Sequence, residues 1–200
     1  MLKGILKDFP RKIKRNEAKH MDFTEKFLRR EEKYRGKILH VYEDSVLLPD
    51  GKEGKREIAA HPGGVAVLAR DGEDVLLVEQ YRYAFGTVLT ELPAGKLEAE
   101  EEPAAAAARE LREETGAVAE KLIPLGVILP SPGCYTERLW LFAAEGLRFV
   151  GAMPDEDEFL RVVRVPFPEL LARVLQGELT DAKTVAAVLK YHVLYRMEKG

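Results

Sequence analysis

"GKLEAEEEPAAAAARELREETGA", residues 95 to 117, decides how the rest of the chain is read. Five consecutive alanines, 104 to 108, separate two groups of glutamates, and a glycine stands near each end. Pro103 suits a first helical position and Gly116 the residue just past a helix end. The alanines between them are the best helix formers, so the segment predicts a helix of about thirteen residues, roughly 20 Å long. At about 100° per residue, Glu110, Glu113 and Glu114 share one arc roughly 100° wide. Leu111, Ala104, Ala108 and Thr115 fall on a separate arc, expected to pack on a sheet. Arg109 lies beside the acidic arc and can pair with Glu113 one turn on. Like charges at this spacing cost a helix a few tenths of a kcal/mol per pair. No lysine relieves them between Glu98 and Lys121. A hard divalent cation takes several carboxylate oxygens and would offset that repulsion. The plainer reading is a solvated acidic surface helix, and acidic clustering alone does not separate the two.

Outward from this segment the pattern is mostly strand. "GGVAVLA" and "DVLLVEQYRY" flank a turn at Asp71-Gly72 and are apolar enough to be buried on both faces. "KILHVYEDSVLL", the turn "PDGK" and "REIAA" precede them, and "VLTELPAG" leads into the helix. Downstream come "LIPLGVIL", the loop "PSPGCYTE", the strand "RLWLFAAE", the acidic loop "MPDEDEF" and the strand "LRVVRV". Two helices close the chain: "PFPELLARVLQGE", stopped by Gly177, and "TDAKTVAAVLKYHVLYRMEK", capped by Thr180 or Asp181. The layout is α/β in content (α+β in organisation): a mixed sheet with one central helix and helices at the end.

Composition narrows the class. The 200 residues suit one domain with an added terminal element. A net charge of −3 argues against a general nucleic-acid binder, and no apolar run reaches the roughly 18 residues a membrane span needs. Residues 1 to 20 hold seven Lys/Arg against two acids. They read as a disordered basic extension, or as a start placed too early, rather than as a binding arm or a secretory signal. Cys134 is the single cysteine, which excludes an internal disulfide and makes a reducing cytoplasm the default expectation. His61 and Cys134 have no partners at nucleophile or zinc spacing.

The spacing Gly95, five residues, Glu101, seven residues, then Arg109-Glu110-Leu111-Arg112-Glu113-Glu114-Thr115-Gly116 resembles the signature of the Nudix hydrolases. All of its fixed identities are present; only Ala117 departs, where that family favours a larger aliphatic residue. Over residues 30 to 195, "REIAAHPGGVAV", "VEQYRY", "ELPAGKLE", "SPGCYTE" and "DAKT" are similar to the ADP-ribose pyrophosphatase branch, and Pro132, 16 residues after Gly116, stands where that branch has a proline.

The resemblance implies a Nudix fold: a mixed β-sheet sandwiched between helices, with an N-terminal antiparallel β extension. It implies a division into strands at 21–60, which contribute to dimerisation and substrate, and a hydrolase domain at 61–200. It implies that Glu110, Glu114 and the Ala94 carbonyl hold two or three Mg²⁺ or Mn²⁺ ions, completed by Glu158, with Glu113 a further ligand or supporting partner. Glu156 is the implied general base. Arg82 is implied to bind phosphate, and Arg56 to reach the substrate from the partner subunit of a homodimer. Glu91 and Glu137 are candidates for substrate hydroxyls, while Glu101 and Arg109 are expected to pin the loop to the helix. The implied reaction is hydrolysis of ADP-ribose to AMP and ribose 5-phosphate, with no nucleic-acid or membrane partner. A GDP-sugar substrate is the alternative within the family. A ligand-sensing protein without activity is disfavoured by the intact acids and by the lack of room for a DNA-binding domain. An RNA-processing role would rest on the basic N-terminus.

Overall fold

A computed structural model describes residues 22 to 152 and 159 to 199, the last five by backbone alone. The basic arm and the loop acids Glu156 and Glu158 lie outside the described residues. The two most apolar segments form the middle of a seven-stranded sheet. β4 (Gly64–Asp71) and β5 (Asp74–Arg82) pair antiparallel across the turn, where Gly72 takes a φ of 63° that suits glycine. The path runs β10 (Leu160–Pro166), β5, β4, β9 (Leu139–Phe149), β8 (Ala117–Ile128). β6 (Thr87–Glu91) pairs with β5, and β7 (Ala94–Lys96) with β4. The β4–β9 pairing is parallel and the rest antiparallel, so the sheet is mixed.

Helices cover both faces of this sheet, as strands without polar alternation require. Val65, Val67 and Ala69 share one core with Ala106, Ala107 and Leu111 of α1 (Pro103–Thr115). On the opposite pleat face Arg70 lies over the rings of Phe167 and Tyr191, at 5.0 and 5.9 Å. Those residues belong to α2 (Phe167–Leu175) and α3 (Ala182–Lys199). Among the described residues no helix is long and apolar enough to cross a membrane.

The ends of α1 fall where Pro103 and Gly116 place them; Gly116, at φ 70°, donates its N–H to the Arg112 carbonyl. The buried face matches the helical wheel only in part, at Leu111 and Thr115. Ala104 and Ala108 are exposed, whereas Ala106, Ala107, Glu110, Leu111, Glu114 and Thr115 are buried. The packed face is therefore centred on the acids instead of beside them, because β7 runs across that side of the helix.

The chain divides into two compact units, one of which is Pro62–Pro132 with Glu137–Val193, the unit just described. The other contains a three-stranded antiparallel sheet of β1 (Lys26–Arg35), β2 (His40–Leu47) and β3 (Glu53–Ala60), joined by Gly133–Thr136. All ten residues of β1 are exposed. Its main internal anchor is Arg30, whose Nε and Nη2 donate to Asp44 at 2.7 Å each, with the guanidinium 4.4 Å over the Tyr42 ring.

Candidate active site

Glu110 and Glu114 meet the backbone of β7. The Ala94 N–H donates to Glu114 Oε2 at 3.0 Å, and a Cβ on Gly95 would fall 2.0 Å from the Glu110 carboxyl carbon. A side chain at 95 would displace the Glu110 carboxyl, so glycine suits this position through that close approach and not through its own φ. The two carboxylates are 8% and 2% exposed, far below the usual state of glutamate. Glu113 is less enclosed: its side chain is 35% exposed and borders a groove of about 440 Å³ flanked by Arg112 and Arg148.

Arg109 holds the loop before the helix to the helix itself. Its Nε and Nη2 donate to Glu101 at 2.9 Å each, Nη2 also reaches the Lys96 carbonyl at 3.1 Å, and Nη1 serves Glu110 at 2.8 Å and Glu113 at 2.9 Å. Glu101 in turn accepts the Glu98 N–H at 3.0 Å. The Glu101 hydrogen bonds raise the Arg109 pKa well above its ordinary range; burial opposes them and the Glu110 charge adds to them. Glu101 is lowered by its bond to Arg109, against burial. These contacts match the pinning role expected of the two residues.

A second charged cluster lies in the same unit. Arg82 Nε and Nη2 donate to the two oxygens of Glu91 at 2.8 Å each, and Lys183 Nζ donates to Glu91 Oε2 and, at 2.9 Å, to Asp181 Oδ1. Arg82 also feels the charge of Glu114, which connects the two clusters electrostatically. Burial, 2% exposure, opposes ionisation of Glu91, but Arg82 and Lys183 outweigh it and lower the pKa from 4.5 to about 2. Both Glu91 oxygens accept hydrogen bonds within the protein, from Arg82 and from Lys183. Glu137 senses the same group: burial pushes its pKa up, Lys183 opposes this and Asp181 adds to it.

The depressed pKa of Glu91 has a definite pH signature. A carboxylate with a lowered folded-state pKa contributes stability above its ordinary value and loses it as pH falls through the folded one. The melting-temperature difference between wild type and Glu91→Gln is therefore expected to shrink between pH 4.5 and about 2. Thermal scans across that window check it; a constant difference overturns the assignment.

Arg56, on β3, is paired with Glu25 through Nε at 2.9 Å and through Nη2, and Nη1 donates to the Lys55 carbonyl at 2.8 Å. Pro132 is exposed. Among the described residues no group of three or more His, Cys, Asp or Glu side chains is arranged to hold a metal ion. Asp181 accepts the Thr184 N–H at 3.0 Å, the capping expected of it, whereas the charge pairing of Lys183 with Glu91 is not expected from the sequence. A lysine following the N-cap aspartate was the available signal, because its charge opposes the helix dipole there.

Residues 60–188 match the family model described as NUDIX domain, and residues 25–59 match the one described as nucleoside diphosphate sugar hydrolase N-terminal domain. The chain belongs to the Nudix family and is a Nudix hydrolase. It is 42% identical to the ADP-ribose pyrophosphatase of Bacillus subtilis strain 168, over 82% of this chain and 90% of the relative. It is 34% identical to the GDP-mannose pyrophosphatase of Yersinia pestis strain Pestoides F, over 74% and 80%. A solved structure titled as an ADP compounds hydrolase superposes with a TM-score of 0.79 at 21% identity, covering 88% of this chain and 96% of that one, and shares the fold.

Proposed function

We propose that the chain hydrolyses the diphosphate linkage of ADP-ribose, releasing AMP and ribose 5-phosphate in a metal-dependent reaction. The observation that carries this reading is the burial of Glu110 and Glu114 against the Ala94–Gly95 backbone, with Arg82 in the field of Glu114. The donor set fits a hard divalent cation: it is all oxygen, and Gly95 leaves no side chain between the carboxylates and the strand. Glu110, Glu114 and the Ala94 carbonyl, with Glu158, would hold Mg²⁺ or Mn²⁺. When bound, such ions lower the pKa of water and neutralise diphosphate oxygens.

The chain's own residues supply the rest. Nε and Nη2 of Arg82 are fixed by Glu91, and its Nη1 has no hydrogen bond among the described residues, which suits it to donate to a diphosphate oxygen. Glu156 is the candidate to take the proton of the attacking water, with Glu113 a second acid on the helix. Water oxygen attacks phosphorus, the bridging P–O bond breaks, and the two monophosphates leave. The exposed edge strand β1, with Phe27, Leu28 and Tyr34 uncovered, supports a homodimer in which the partner supplies Arg56.

A GDP-sugar is the second reading, favoured by the similarity to a GDP-mannose pyrophosphatase. Assays of ADP-ribose and GDP-mannose side by side, with Mg²⁺ and with EDTA, test both. The expected result is release of AMP and ribose 5-phosphate, abolished by EDTA and restored by Mg²⁺. Faster release of GMP from GDP-mannose replaces the substrate, and activity that survives full chelation overturns the metal assignment.

A further inference from the structure

Lys183 is 9% exposed and occupies the second position of α3. Both facts are unfavourable for an ammonium group: burial removes its hydration, and the helix dipole places partial positive charge at that end. Its place is maintained by Glu91 and Asp181. Asp181 also caps the helix, its Oδ2 accepting the Thr184 N–H at 3.0 Å and the Thr184 hydroxyl at 2.6 Å. That hydroxyl oxygen accepts the N–H of Leu92, the residue after Glu91, at 2.9 Å. The first turn of α3 is thus tied by a backbone bond and by an ion pair to the strand end that orients Arg82.

Charge counting shows what the lysine does. Arg82 and Lys183 are set against Glu91 and Asp181, and Glu114 and Glu137 add further acidic groups beside them. Without Lys183 these acids face Arg82 alone, Arg82 is fully matched by Glu91, and an incoming anion meets repulsion. Glu91 would also lose one of the two donors on Oε2, leaving the Glu91–Arg82 pair held by its own two bonds and without its tie to the first turn of α3. We infer that Lys183 is a positioning residue for ligand recognition: through Glu91 it sets the direction of Arg82 and keeps the local charge hospitable to a nucleoside diphosphate. The inference rests on the reading above in which Arg82 meets the diphosphate. It adds the N-terminal turn of α3 to the recognition apparatus.

A double-mutant cycle tests it, with ADP as the probe and calorimetric Kd as the readout, in Mg²⁺ and again in EDTA. Lys183→Met is expected to weaken ADP by about tenfold, the size of a lost charged hydrogen bond. Lys183→Arg should stay within about threefold of wild type, since it restores the charge. In an Arg82→Ala background Lys183→Met should change Kd less than about twofold, because the arginine it acts through is gone. Melting temperatures are recorded for each variant, and Lys183→Gln serves the same cycle should the methionine variant not fold. Wild-type affinity in Lys183→Met, equal weakening with and without Arg82, or no binding of ADP by wild type each overturn the inference. ADP binding that follows the cycle in a protein that turns over no nucleotide sugar sinks the hydrolase reading and leaves the inference intact.

Discussion

Glu114→Gln is expected to lower kcat by about a hundredfold or more while leaving the melting temperature within about 4 °C of wild type. Glutamine keeps the shape of the side chain, and its carbonyl oxygen can still accept the Ala94 N–H that Glu114 accepts at 3.0 Å. The fold therefore loses little. What disappears is one full negative charge from a group 2% exposed, where a cation would depend on it most. Arg82 also loses one of the charges that raise its pKa, though Glu91 keeps it protonated. Steady-state kinetics at saturating substrate, with a thermal melt beside them, separates the two effects. Turnover like that of wild type rejects Glu114 as a cation ligand.

Gly95→Ala is the second change with a large expected effect. The added Cβ would sit 2.0 Å from both the carboxyl carbon and one oxygen of Glu110, so the carboxylate has to leave its place. Backbone strain is not the cause, since Gly95 is not among the residues with positive φ. Displacement costs Glu110 its 2.8 Å bond from Arg109, a loss of about 1–3 kcal/mol for a buried charged group. The expected outcome is a fall in kcat of about a hundredfold, comparable to that of Glu110→Gln, with a moderately lowered melting temperature. Combining Gly95→Ala with Glu110→Gln should add little further loss, because one ligand cannot be removed twice. Additive losses in that pair contradict the geometry.

The parts of this arrangement legible in the sequence are the local ones. Pro103 and Gly116 locate the ends of α1, because first-turn and helix-end chemistry is written in single residues. The Arg109–Glu101 clasp was legible through the box spacing. The orientation of the helix was not. A wheel treats charge as a mark of the outside, yet Ala104 and Ala108 are exposed and Glu110 and Glu114 buried. The cause is β7, whose pairing with β4 is a long-range event that no local period encodes. Lys183 escaped for a similar reason: it lies 92 residues from Glu91, and only the assembled sheet brings them together. β8 begins at Ala117, several residues before the apolar run that marks it, since "AVAEK" carries charges that the sheet edge tolerates.

The clasp around Arg109 has a consequence for the apoprotein. Two of the helix acids, Glu110 and Glu113, already possess an internal counter-ion in the absence of any added salt or cofactor. On the proposed reading, a cation would enter a pocket whose acids are already partly balanced, so folding and loading would be separable events.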